Sequence, residues 1–135
     1  KAREIAIEKA ADYIINDGPP GIGCPVIASV TGTGKVLLVI EPSLSGLHDA
    51  KRLHQLVKSF KIPVVAVINK FDINEEITRK AENFLKENQI RLLGKIPYDT
   101  LLVESIVNKQ TILEFAPENE ISKTIKSIWQ QLSEN

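Results

Sequence analysis

Asp12-Tyr13-Ile14-Ile15-Asn16-Asp17-Gly18-Pro19-Pro20-Gly21 is an apolar run that ends in an acid and breaks into a Gly-Pro-Pro-Gly turn. Tyr13, Ile14 and Ile15 are the aromatic and β-branched types that suit a buried strand, so the stretch predicts a strand over residues 12–17 with Asp17 at its carboxyl end. In open α/β sheets, ligands bind at that end of the strands. An acid there can hold Mg²⁺ through its water shell. Gly21, with no Cβ, would let its backbone N–H approach a phosphate oxygen. Taken alone, the same residues read equally well as a strand closing in an ordinary turn.

The flanking sequence fits a strand in that position. Upstream, residues 1–11 read as a helix with Ala2, Ile5, Ala6 and Ala10 on one face. Downstream, Pro25 opens a short helix through Ala28 or Val30, ended by Gly32 to Gly34. Val36–Ile40, Pro63–Ile68 and Leu92–Ile96 read as three more strands. The first two are apolar on both faces, as a parallel sheet covered on both sides requires. Helices fall between them. Ser45–Phe60 carries Leu47, Ala50, Leu53, Leu56, Val57 and Phe60 at helical spacing, and a helix capped by Asn74 and running to about Asn88 carries Ile77, Ala81, Phe84 and Leu85. Thr100 is the expected cap of a helix to about Asn108, and Pro117 the expected start of a last one with Ile121, Ile125, Ile128, Trp129 and Leu132 inward. Alternating strands and helices predict an α/β fold, a three-layer parallel sheet with helices on both faces.

Composition narrows the function. At 135 residues the sequence is sized for a single domain over 1–135 with a real core. With 17 basic and 17 acidic residues, no bulk charge supports a nucleic-acid or membrane surface, so any phosphate binding must be local. There is no apolar run of membrane-spanning length and no charged-then-apolar leader. The lone Cys24 excludes an internal disulfide framework and suggests a reducing, cytoplasmic setting. The sequence begins at Lys1 and contains no methionine, which suggests part of a longer polypeptide.

Thr31-Gly32-Thr33-Gly34-Lys35 imitates the tail of the phosphate-binding loop G-x-x-x-x-G-K-[ST]. The spacing fails, since Ser29 stands five before Gly34 and Val36 replaces the metal-binding hydroxyl. The context fails as well, because such a loop runs from strand into helix and this one is predicted to run from helix into strand.

Four motifs in order, each after a predicted strand, carry a family resemblance. They are Asp17-Gly18-Pro19-Pro20-Gly21-Ile22-Gly23-Cys24-Pro25, Glu41-Pro42-Ser43, Asn69-Lys70-Phe71-Asp72 and Ile96-Pro97-Tyr98-Asp99. Together they resemble the carboxyl-terminal half of a MinD/ParA-type P-loop ATPase, in the branch with a ferredoxin-like insertion and [4Fe-4S] clusters. The resemblance implies that Asp17 positions Mg²⁺ through water and that Gly18, Pro19 and Gly21 follow the γ-phosphate. It implies that Asn69, with Lys70 and Asp72, meets the base, that Pro97 and Tyr98 lie along it, and that Glu41 sits near the nucleotide and the dimer contact. The implied cofactors are ATP and Mg²⁺, with [4Fe-4S] clusters only in the absent part. The implied partners are an amino-terminal half carrying the P-loop and a second copy in a homodimer; from charge and hydropathy, no direct nucleic-acid binding is evident and no membrane segment is expected.

Two departures bear on this reading: the P-loop and the cluster cysteines are missing from these 135 residues, and Asn16 stands where the family has an apolar residue. A non-enzymatic α/β interaction module therefore remains open. So does a GTPase, because in N-K-x-D the acid, here Asp72, would read the guanine edge. Asn69 and Asp72 also suit a plain strand-to-helix turn. Cys24 alone reads as a small apolar residue, and His48 and His54 as surface residues on different faces of one helix. The resemblance places the P-loop strand between the strand ending at Asp17 and Val36–Ile40. Without it, Ile14–Asn16 should pair directly with Leu37–Val39, or a second molecule should fill the gap.

Overall fold

Val36–Ile40 (β1), Val64–Asn69 (β2) and Arg91–Ile96 (β3) form a parallel sheet in the order β1-β2-β3. The computed structural model describes the backbone of residues 2–19 and 23–134, and the side chains of residues 4–19 and 23–134. Along each strand, alternate residues serve opposite faces. Leu38, Ile40, Ala66 and Ile68 face one way and meet Leu47 and Ala50 of α3 (Leu44–Ser59) and Ile77, Ala81, Phe84 and Leu85 of α4 (Glu75–Glu87). Val67 and Leu93 face the other way and meet Ile128, with Leu37, Val65, Ile96 and Leu132 around them. Ile128 belongs to the last helix, α7 (Glu120–Ser133), preceded by α5 (Leu101–Val107) and α6 (Ile112–Phe115). Helices on both faces of a parallel sheet are what the apolar strand runs predicted. Ile40, Ile68 and Leu85 are almost wholly buried, each contributing about 1.5–3 kcal/mol relative to exposure.

At the amino-terminal end, α1 (Ala2–Glu8) is followed by an irregular stretch and then α2 (Cys24–Val30). Val26 and Val30 of α2 pack on Val57, Val36 and Leu53 beside the sheet. The turn after α2 leads straight into β1, as its failed phosphate-loop spacing indicated, and Lys35 Nζ donates instead to the Leu132 carbonyl at the end of α7, at 3.1 Å.

The expected strand over residues 12–17 is absent. β1 is hydrogen-bonded to β2 alone among the described residues, so the direct pairing of Ile14–Asn16 with Leu37–Val39 does not form. Tyr13, Ile14 and Ile15 are exposed, and the Tyr13 ring meets Trp129 edge-on at 5.1 Å between centroids. Strand propensity is largely a preference for packing against neighbours on both faces. No described residue supplies a second neighbour here. α1 leaves Ile5 and Ile7 exposed; it ends at Glu8, and Ala10 takes a left-handed φ of 48°.

Smaller differences have local causes. The Thr100 side chain makes no capping bond, and Asp99 Oδ1 accepts the Leu101 N–H at 2.9 Å instead. The last helix opens after Pro117, with the Asn119 side chain accepting from Ile121 N–H. The unpredicted α6 is held by a reciprocal capping box between Thr111 and Glu114, whose carboxyl these bonds keep below its usual range. Trp129 stays partly exposed. His54 is buried in the seam between α3 and α4, edge-on to Phe84, rather than on the surface; burial first, and then Lys58, push its pKa down.

β3 contains an irregularity that shapes the rest. Ala66 pairs with Leu92 but Val67 pairs with Gly94, so Leu93 is an extra residue. Gln131 of α7 donates to the Leu93 carbonyl at 3.0 Å. A Cβ on Gly94 would stand 2.9 Å from Ile128 Cγ1, so only glycine admits α7 this close. Gly94→Ala should therefore lower stability by about 1–3 kcal/mol through overpacking, read as a lower urea midpoint at unchanged slope. His54 yields a pH prediction. Its folded pKa lies below the ordinary 6.5, so the unfolded chain takes up the proton first as pH falls. Its contribution is intact above that value and is lost as pH drops through it toward the folded pKa. Urea midpoints should fall on acidification from pH ~7.5 to ~5.5, spanning the ordinary histidine value, and His54→Leu should flatten that part of the profile.

Candidate functional site

Parallel strands deliver all their carboxyl ends to one side of the sheet, where three loops begin. After β1, Glu41-Pro42-Ser43 turns into α3. The Ser43 hydroxyl accepts the Gly46 N–H at 2.9 Å, and a Cβ on Gly46 would overlap the Glu41 carbonyl oxygen, so glycine permits the tight entry. After the central strand β2 comes Asn69-Lys70-Phe71-Asp72. Lys70 adopts a left-handed φ of 54°, and its carbonyl accepts the Ile73 N–H at 3.2 Å. Phe71 is half-buried: its carbonyl accepts from Thr78 Oγ1 at 2.6 Å, and Lys95 Nζ lies 5.0 Å from its ring centroid. After β3, Ile96-Pro97-Tyr98-Asp99 leads into α5.

Side chains and backbone tie these loops pairwise. Lys70 Nζ meets Glu41 Oε2 at 3.1 Å, joining the first loop to the second. As a pair exposed to water it adds little stability, on the order of 0–1 kcal/mol, and its value is positional. The Phe71 N–H donates to the Ile96 carbonyl at 3.1 Å, and Asp72 Oδ1 accepts the Tyr98 N–H at 2.8 Å, joining the second loop to the third. Asn69 ends the central strand between these ties. The residue is half-buried, and its side-chain amide, which reaches solvent, makes no hydrogen bond to a described residue, leaving two donors and an acceptor free for a ligand. The Tyr98 ring, on the third loop, is exposed.

The structure thus brings Glu41, Asn69, Lys70, Asp72, Pro97 and Tyr98 to one end of the sheet. It does not bring the expected phosphate-side residues into the same network. Asp17, Gly18 and Pro19 lie in an exposed stretch whose described tethers run elsewhere: Asn16 Nδ2 donates to the Ser29 carbonyl at 3.3 Å, and Gly18 lies near the Ser29 hydroxyl. Gly21 lies outside the described residues. Among the described residues, no three His, Cys, Asp or Glu side chains gather into a metal centre. Cys24 is exposed at the start of α2, and His48 is exposed beside Asp49. Thr78 and Gly46, which hold the loops in shape, were not singled out in the sequence. Each lies in the first turns of a helix after a loop, where a hydroxyl or a glycine can serve the preceding backbone.

The family model "ParA: NUBPL iron-transfer P-loop NTPase" matches residues 6–133. An uncharacterized protein of Methanocaldococcus jannaschii is 31% identical over 124 residues, covering 92% of this chain and 41% of its own length. An iron-sulfur cluster carrier protein of Aquifex aeolicus is 28% identical over 136 aligned residues, covering 91% of this chain and 37% of its own length. Among solved structures, the septum site-determining protein MinD complexed with Mg-ADP from Pyrococcus horikoshii has a TM-score of 0.76 at 18% identity, covering 98% of this chain and 55% of that one; the likeness is one of fold. The chain spans about two fifths of the length of these curated relatives. No helix among the described residues is long and apolar enough to cross a membrane. With a match that runs through all three strands and the loops that follow them, the chain belongs to the ParA family of P-loop NTPases.

Proposed function

We propose that this chain supplies the base-binding side of a MinD/ParA-like ATPase, as the carboxyl-terminal portion of a nucleotide-binding domain. The observation that carries the reading is the Asn69 amide at the end of the central strand, open to solvent and bonded to no described residue, with the first and third loops tied in on either side. An asparagine amide can donate to adenine N7 while accepting from N6. Pro97 and Tyr98 offer backbone along the base, and Glu41 and Lys70 border the site as a fixed pair.

The phosphate side is incomplete in these 135 residues, which contain no G-x-x-x-x-G-K-[ST] loop. Asp17, Gly18, Pro19 and Gly21 are proposed to join the phosphates once a P-loop strand gives residues 12–17 a neighbour. Asp17 offers a single exposed carboxylate, which suits a Mg²⁺ held through water but does not by itself make a site. When bound with the nucleotide, the ion would neutralise phosphate charge. In the assembled domain, the order of the stretch after Asp17 would report the γ-phosphate, making a nucleotide-dependent switch that acts as a homodimer. The iron-sulfur cluster carrier among the relatives supports an association with iron-sulfur chemistry in the whole protein. Cys24, the one cysteine here, cannot hold a cluster by itself.

Two measurements test this. The purified chain incubated with Mg-ATP should release no phosphate above buffer, because phosphoryl transfer of this class needs the P-loop lysine and backbone cradle. Turnover that Asp17→Ala abolishes would show that the phosphate site has been misplaced. When the chain is joined to a P-loop-bearing portion, Asn69→Ala should weaken ATP binding in calorimetry by about 1–2 kcal/mol, the scale of one hydrogen bond lost against a buried partner, with little change in folding. Unchanged affinity would sink the base assignment.

A further inference from the structure

Asp72 stands where an N-K-x-D motif would place the acid that reads guanine, and such reading requires both carboxylate oxygens to face the base. Here one of them is already engaged. Asp72 Oδ1 accepts the Tyr98 N–H at 2.8 Å, across 26 residues of sequence. We infer that Asp72 is a positioning residue: it clamps the third loop in place for the base and does not read the base itself. This rests on the base-binding role proposed above for the same loops.

The clamp has two points. The Phe71 N–H holds the Ile96 carbonyl at 3.1 Å, and the Asp72 carboxylate holds the Tyr98 N–H. Pro97 lies between them and has no N–H to give, so Tyr98 carries the first donor beyond the ladder. Both ends of the segment along the base are therefore fixed to the loop that carries Asn69. The donor loop is itself rigid, with Lys70 in a left-handed turn closed by Ile73, and the Phe71 carbonyl held by Thr78. A charged acceptor makes the stronger kind of hydrogen bond, and an asparagine oxygen at the same place could still accept it. A base-reading carboxylate has no such substitute, because an amide presents a donor where the second oxygen was.

Asp72→Asn and Asp72→Ala separate the two roles in NMR on the whole 135-residue chain, with ATP and GTP each added at millimolar concentration. Amide exchange reads the clamp. Tyr98 should be protected in the parent chain and in Asp72→Asn, and should exchange about tenfold faster or more in Asp72→Ala, the scale of a lost charge-assisted bond. Equal protection in all three overturns the inference. Nucleotide-induced shifts at the Asn69 amide read the consequence. They should persist in Asp72→Asn and shrink in Asp72→Ala, with the ratio of the ATP to the GTP response unchanged. A GTP response in the parent chain that Asp72→Asn abolishes, while Tyr98 stays protected, makes Asp72 a base reader and overturns the inference. If neither nucleotide moves Asn69 in the parent chain, the nucleotide comparison is made on the chain joined to a P-loop-bearing portion, where silence at Asn69 fails the base-binding proposal; amide exchange decides the clamp in either case.

Discussion

Everything in this fold hangs on the pairing of β2 along both of its edges. Val64–Asn69 hydrogen-bonds to β1 on one side and β3 on the other, so its backbone polar groups are satisfied within the sheet. That lets Ala66, Val67 and Ile68 be buried toward both helical layers at once. It also fixes where the strand stops, and Asn69 is the residue at that point. The candidate site starts there: the most constrained strand ends in a side chain that makes no hydrogen bond to a described residue.

The same constraint explains the missing strand. Tyr13-Ile14-Ile15 has as good a strand composition as Val65-Ala66-Val67, and composition alone cannot tell them apart. What differs is company: β2 has two ladders and two covering layers, whereas residues 12–17 find no second neighbour among the described residues and remain exposed. Among the described residues β1 has no second strand partner, and its Val39 is exposed. Three strands, their order of appearance and the helices α3, α4 and α7 were legible because their apolar patterns are long and are answered by one another. The lone run was not, because no strand among the described residues answers it.

The candidate site was legible to a similar depth. Glu41, Asn69, Lys70, Pro97 and Tyr98 follow apolar strands directly, so their arrival at one end of a parallel sheet follows from topology. The ties between them could not be read, since ion pairs and side-chain-to-backbone bonds depend on register and on backbone angles such as the left-handed turn at Lys70. His54 shows the converse error. Its place on α3 suggested the surface, and only the packing of α4 across that helix makes it a buried, neutral-favouring group.

Register is where the fold and the site meet. Leu93 is the extra residue in β3, and it sets every later residue of that strand back by one position against β2. With the bulge, Asn69 lies opposite Ile96, the Phe71 N–H reaches the Ile96 carbonyl, and Asp72 faces the Tyr98 N–H. Without it, Asn69 would lie opposite Lys95, Phe71 would reach the Lys95 carbonyl, and Asp72 would face Pro97, which has no N–H. The clamp on the third loop therefore depends on one irregular residue several positions earlier. That irregularity is itself supported from the α7 side, where Gln131 takes the Leu93 carbonyl and Gly94 gives Ile128 room. A helix on one face of the sheet thus sets the geometry of a loop at its end, through a strand whose sequence gives no outward sign of the bulge beyond a single glycine.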